Sequence, residues 1–361
     1  MSLLATLTNL MNHTGPQFLY VPIPPDHVDE TYKAEPLESG RHYFRLWLKE
    51  MYLQNDRRWF TTWYPVVHSL VRCQYGQPKV EIPGIAGSLN LADINDTNLN
   101  RAVRLNYAMT TLIPFSGDTV EIVAGLLAMQ GDNYLNHWIK VIGDFAKLLT
   151  VPQLSAALDI ASKVADSVSE LLNQTSGTLQ LGLHQTFTGK GGGGGASLIE
   201  GYNAVILATE EKVATDLLWV VGGRLRYGLS KDDNDAFTGH TYMLLHIESR
   251  EERDNLEALS SIQEPYNKAI AALGDGLKER AEAFLRTSVT AALLSSDLTK
   301  ADRNRVADSL VKDFEEAKKR GFGAIEVDST SLDQVIKRAM TVEEALQMRE
   351  LTFEDLFEQF S

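Results

Sequence analysis

Few side chains in this sequence are spaced for chemistry, and each group that is has a plain structural alternative. No pair among the eight histidines has H-E-x-x-H or zinc-finger spacing, the patterns that bring imidazoles onto one zinc ion. His246 and Glu248 alternate onto one face of a strand, with His240 further along it. A metal there would need more ligands from distant segments, so a solvated strand face is the simpler reading and no metal or cofactor is expected. Asp232, Asp233, Asn234 and Asp235 crowd oxygens before a strand. Such a loop in a β-sandwich can take calcium, but the spacing and glycine of an EF-hand loop are missing, and a polar turn accounts for it.

Nucleophile signatures are equally thin, and no catalytic residue is assigned. Cys73 follows His68 by five residues. On a regular strand those positions face opposite ways, so a thiolate–imidazole pair would need a bulge. There is no G-x-S-x-G. Gly189, Gly191 and Gly194 match G-x-G-x-x-G in form only. A dinucleotide site needs a helix after that loop, whereas here another strand follows. The glycines at 191–195 are expected to form a loop with a large ordering entropy.

Two groups point to binding. Tyr43, Arg45, Trp47 and Lys49 share one strand face, and Trp59 and Trp63 share a face of the next strand. Interleaved basic and aromatic side chains can stack bases or sugars. The 48 Asp and Glu against 34 Lys and Arg, a formal net charge of −14, work against nucleic acid and anionic membranes. The aromatics are therefore expected in the core, with the charges facing water.

The other group is C-terminal. Phe353, Leu356, Phe357 and Phe360 fall on one helical face, with Glu354, Asp355 and Glu358 opposite. A helix confined to 352–360 is too short to hold in water alone, and each of its large apolar side chains would gain roughly 1.5–3 kcal/mol on burial. It needs a surface. An acidic tail on an acidic protein is matched better by a basic groove on a protein partner than by its own domain. These four residues are the expected partner-binding set.

The elements that would position such groups alternate between strand and helix. Residues 178–187 show period-two alternation; strand-like runs at 202–209, 217–221, 224–227 and 240–248 follow, so 178–248 is expected to be an antiparallel meander. Gly222-Gly223 supplies the turn of a tight hairpin. Ser249 and Glu252 have capping-box spacing, predicting a helix over 250–259. Upstream, strands are predicted at 18–23, 42–54, 58–71, 101–114 and 119–129, with 42–54 and 58–71 as one long hairpin. Between the β regions, 134–149 and the run after Pro152 have apolar residues at three- and four-residue steps, a helical hairpin.

The expected fold is α+β: an antiparallel β-sandwich with an inserted helical hairpin, followed by an α-helical C-terminal region. The expected divisions are an N-terminal arm at 1–17, the sandwich at 18–248 with its insertion at about 134–174, a helical region at 249–327 and an acidic short-helix tail at 328–361.

Composition sets outer bounds. The 361 residues are 44% hydrophobic and 23% charged, an ordinary globular balance. One cysteine precludes an intramolecular disulfide and suits a reducing, cytoplasmic setting. The first residues lack the basic region of a secretory signal, and no apolar run approaches the ~20 residues that span a bilayer, so stable membrane insertion is not expected. The leading functional expectation is a non-catalytic, cytosolic protein-binding or adaptor component of a multiprotein system, docking through its C-terminal helix. Two other classes stand beside it: a hydrolase-type enzyme whose site assembles from separate loops, and a calcium-dependent or membrane-associating β-sandwich module.

Overall fold

Leu179, Leu181 and Leu183 are buried while Gln180 and His184 are not, so the alternation at this stretch folds as a strand facing a core. The protein is described by a computed structural model over residues 18–54, 57–58, 61–75, 79–87, 103–117, 119–130, 132–151, 153–174, 178–190, 196–253 and 256–320. The C-terminal segment beyond 320 and the glycines at 191–195 lie outside the described residues.

In chain order the strands are β1 (Leu19–Pro22), β2 (Tyr43–Tyr52), β3 (Arg57–Arg58), β4 (Thr61–Gln74), β5 (Lys79–Gly87), β6 (Val103–Ala108), β7 (Ile113–Pro114) and β8 (Val120–Gln130). The helices α1 (Asp132–Thr150) and α2 (Leu154–Gln174) follow. Then come β9 (Thr178–Thr188), β10 (Ala196–Ser197), β11 (Gly201–Ile206), β12 (Leu218–Val221), β13 (Arg224–Gly228), β14 (Asn234–Ala236) and β15 (Tyr242–Arg250). The last described elements are α3 (Ser260–Gly274), α4 (Lys278–Leu294) and α5 (Lys300–Lys319).

The strands form two six-stranded sheets and one of three strands. The first runs β1-β11-β15-β2-β6, with β7 also on β2; the second runs β10-β9-β8-β4-β3, with β5 also on β4. Pairing is antiparallel except for two-residue β10. The sheets pack face to face as an open sandwich, with Phe44, Leu46 and Leu48 of the first sharing one core with Val67, Leu126 and Leu181 of the second. The outer face of the first sheet is buried too. Tyr202, Ala204, Tyr242 and Leu244 pack there with Leu218, Val220 and Leu225 of the small sheet β12-β13-β14. Glu50 of β2, buried at that junction, accepts hydrogen bonds from the Leu225 amide and the Tyr242 hydroxyl.

The outer face of the second sheet is covered in part by the helical hairpin. Val141, Ile142, Phe145 and Leu148 of α1 and Leu154, Ala157, Ala161, Val164 and Val168 of α2 recur at helical spacing and join the sandwich core. On this face His68 stands in register with Gly125 of β8, and Gly125 with Gly182 of β9. A side chain at Gly125 would meet the imidazole at 2.5 Å, so this glycine opens a slot for the ring.

Several sequence expectations are corrected. The 178–248 stretch is no meander: β9 lies in the second sheet, β11 and β15 in the first, and β12 to β14 in the third. The two arms expected to form a hairpin over 42–71 part company, β2 pairing with β15 and β6, and β4 with β5 and β8. The runs at 101–114 and 119–129, also expected to pair with each other, enter different sheets as β6 and β8. The capping box at Ser249 does not start a helix. Ser249 pairs with Phe44 in the sheet and Glu252 reaches Arg305 at 3.4 Å, so tertiary pairing overrides a local cap. Gly222 and Gly223 do form the predicted turn, at φ of 61° and 70°.

By contact the chain divides into two compact units, 1–263 with 290–308, and 264–289 with 309–361. The first holds the sandwich and a buried clasp. Asp297 accepts from the Tyr75 hydroxyl at 2.8 Å and the Leu154 amide at 2.7 Å, capping α2 from outside its own neighbourhood. Asp302 accepts from the Tyr43 hydroxyl at 2.7 Å and the Arg253 amide at 3.1 Å. The second unit is helical, with Ala269, Ala272, Ala281 and Phe314 at its centre. Small residues there let the helices approach closely, and Gly276, at φ 75°, ends α3 in a Schellman-type turn with the Leu277 amide bonded to Ala272.

Candidate functional site

The sandwich is open at the side where β1 ends one sheet and β9–β10 end the other. Prolines shape this edge: Pro22 closes β1, and Pro24-Pro25 turn the chain away. The gap is a cleft of about 430 Å³ lined by Tyr20, Pro22, Pro24, Tyr32, Phe187 and Tyr202, among others. That size lies within the usual range for ligand sites, which are mostly apolar with a few placed polar groups.

Each aromatic wall is fixed from behind. Tyr20 and Phe187 lean together across the sheets at 6.5 Å between rings, and the Tyr20 hydroxyl donates to Asn203 Oδ1 at 2.7 Å. The Tyr202 hydroxyl donates to Glu30 at 2.8 Å, and its ring stacks on His246 at 4.4 Å. Tyr32 lies against Tyr202 at 6.4 Å and passes over Gly201, where a Cβ would stand 3.1 Å from its hydroxyl. That hydroxyl is buried, with the Tyr202 backbone amide as a nearby donor and no acceptor for its own proton among the described residues. Burial raises the pKa of Tyr20, Tyr32 and Tyr202, so all are neutral phenols near neutral pH. Glu200 also lines the cleft, its carboxyl pushed up by burial, and among the described residues no Lys or Arg does. Flat walls, a hydroxyl lacking an acceptor and a carboxyl can recognise a ligand by shape and hydrogen bonding.

The residues singled out in the sequence are placed as follows. Phe353, Leu356, Phe357, Phe360 and Trp59 lie outside the described residues. Tyr43, Arg45, Trp47 and Lys49 do share a face, but β4, which carries Trp63, belongs to the other sheet. Tyr43 is spent on Asp302. Trp47 lies between Arg45 at 5.4 Å and Lys49 at 5.3 Å, and its indole donates to Glu248 at 2.6 Å. The aromatic row is thus satisfied within the protein. Glu248 also accepts from Arg250. Burial alone would raise its pKa, but the hydrogen bonds from Trp47 and Arg250 and the nearby charge of Arg45 hold it below the usual carboxylate range.

His246 is buried, its pKa pushed down to about 4 by burial and then by Lys49, and it stacks on Tyr202 rather than joining Glu248 and His240. Among the described residues no group of three or more His, Cys, Asp or Glu gathers as a metal site. Asn234 turns its amide onto the Ser230 and Lys231 carbonyls, closing the polar turn. Cys73 and His68 face opposite sides of β4, as alternation requires, and burial pushes the thiol up to about 12.

Sequence reasoning missed the cleft. Tyr20, Tyr32 and Tyr202 meet only because β1 pairs with β11, and the one local signal, Pro24-Pro25, says merely that a strand stops. No protein-family model, no curated protein and no solved structure matches this chain.

Proposed function

We propose that this chain is a non-catalytic protein-binding component, and that the cleft beside β1 receives an extended, proline-containing segment of a partner. The observation that supports this is the wall of neutral tyrosines and prolines carrying a buried Tyr32 hydroxyl whose proton has no acceptor among the described residues. Polyproline segments dock in aromatic-lined grooves and present carbonyls with no internal hydrogen bonds, the acceptor that Tyr32 lacks. Glu200 in the lining and Glu30 behind Tyr202, with no lining cation among the described residues, favour a segment flanked by a basic residue.

Fluorescence polarisation with a labelled polyproline peptide carrying an arginine pair tests the reading. Tyr32→Phe should weaken binding by about two- to tenfold, the worth of one hydrogen bond of roughly 0.5–1.5 kcal/mol. Tyr32→Ala should abolish it. If a peptide of the same length with alanine for proline binds as tightly, the reading fails.

The amphipathic C-terminal stretch, with Phe353, Leu356, Phe357 and Phe360 on one face, supports a second docking element aimed at a basic groove. Two such elements would suit an adaptor in a multiprotein system, and a single cysteine suits a cytosolic one. No helix among the described residues is long and apolar enough to cross a membrane.

A further inference from the structure

A second, smaller pocket of about 130 Å³ lies beside β2. Arg45, Arg253, Thr111 and Thr110, whose hydroxyl already accepts from the Leu46 amide, supply its polar lining, and Leu112, Leu149 and Val151 its apolar wall. Among the described residues no carboxylate lines it. Arg253 is 4% exposed and fixed in place, its guanidinium donating to the Asp297 carbonyl and its amide to Asp302. The Nε of Arg45 and the hydroxyl oxygen of Thr111 are both buried with no hydrogen-bond partner among the described residues.

Among the described residues Arg45 pairs with Glu248, at 3.7 Å from its NH1. That carboxylate already accepts from Trp47 and Arg250, so Arg45 keeps a contact longer than a hydrogen bond. Burial holds the Arg45 guanidinium below its usual pKa. Glu248 opposes the shift, while Arg250 and Arg253 add to it. Cations crowd together here in a protein of net charge −14, and two residues that line the cavity each carry a buried polar atom with no hydrogen-bond partner among the described residues. Leu149 comes from the last turn of α1, whose carbonyl end repels anions, so the guanidiniums must supply the attraction.

We propose that this pocket binds a small aliphatic carboxylate. A guanidinium presents paired N–H donors that match the two oxygens of a carboxylate, and Nε–H is one of them. The Thr111 hydroxyl donates a further hydrogen bond. The short hydrocarbon tail lies against Leu112, Leu149 and Val151, an apolar wall that phosphate or sulfate would leave unused.

The test is calorimetric titration and thermal melting of the full chain with acetate, butyrate and inorganic phosphate at constant ionic strength. Butyrate should bind more tightly than acetate and raise the melting temperature, with phosphate the weakest. Arg45→Lys keeps the charge but removes the fork, and should weaken butyrate at least about tenfold. Thr111→Val keeps the shape and should weaken it by about three- to tenfold. Circular dichroism shows whether each variant folds, and either folded variant suffices. No shift with any carboxylate, phosphate as the strongest ligand, or undiminished butyrate binding in a folded variant overturns the proposal.

Discussion

Replacing His68 with leucine should flatten the acid side of the stability curve. The imidazole is 1% exposed in the slot beside Gly125, and neither ring nitrogen has a partner among the described residues. Burial pushes its pKa down from 6.5 to about 4. The folded-state value is the lower one, so between these limits the unfolded chain binds the extra proton. Stability is therefore full above about pH 6.5, falls as pH drops towards 4, and loses nothing further from this group below that. The whole span is about 3 kcal/mol, of which about 2 kcal/mol is gone by pH 5. His68→Leu keeps an apolar side chain in the slot and cannot titrate. At pH 7 it also removes an unsatisfied polar ring, a gain of about 1–3 kcal/mol partly offset by imperfect fit. All five tryptophans fall within 1–263, so their fluorescence reports the sandwich unit alone. Urea unfolding followed this way at pH 7, 6 and 5 should show wild type losing stability faster than the variant by about 2 kcal/mol over the interval. His246, pushed down to about 4 as well, stays in both proteins and cancels in the difference. Parallel curves for the two proteins would falsify the assignment.

The clasp and the lone cysteine give simpler tests. Asp297→Ala leaves the Tyr75 hydroxyl and Leu154 amide without their acceptor and should cost about 3 kcal/mol or more in the same fluorescence assay. A loss under about 1 kcal/mol would show that water replaces the carboxylate. Cys73, 3% exposed with its thiol pushed up to about 12, should not react with a disulfide reagent in the native protein and should react fully in urea. Native labelling at the rate of a free thiol would contradict its placement.

Local patterns were legible and partnerships were not. Leu179, Leu181 and Leu183 announced a strand face, and Gly222-Gly223 announced a turn, because both depend on residues a few positions apart. The apolar steps of α1 and α2 named their buried faces for the same reason. Nothing local says that β2 adjoins β15, since alternation fixes which residues share a face and not which strand lies alongside. The aromatic hairpin was misjudged on that account. Ser249 and Glu252 had the spacing of a cap but were claimed by Phe44 and Arg305. The two pockets were invisible for a related reason: each draws its polar groups from segments joined only by sheet pairing or by the 253–302 region.

The clasp also sets a timetable for biosynthesis. Tyr43 waits for Asp302 through 259 residues, and Tyr75 for Asp297 through 222. At ribosomal speeds of about 5–20 residues per second, the hydroxyl of Tyr43 is without its acceptor for roughly 13–50 s. Residues 264–289, which belong to the other unit, emerge during that wait. Every strand of the sandwich is then already outside the ribosome, with α2 still uncapped at Leu154. The nascent chain passes through a long interval in which its sheets are present but unlatched, the condition in which exposed strand edges aggregate or recruit chaperones.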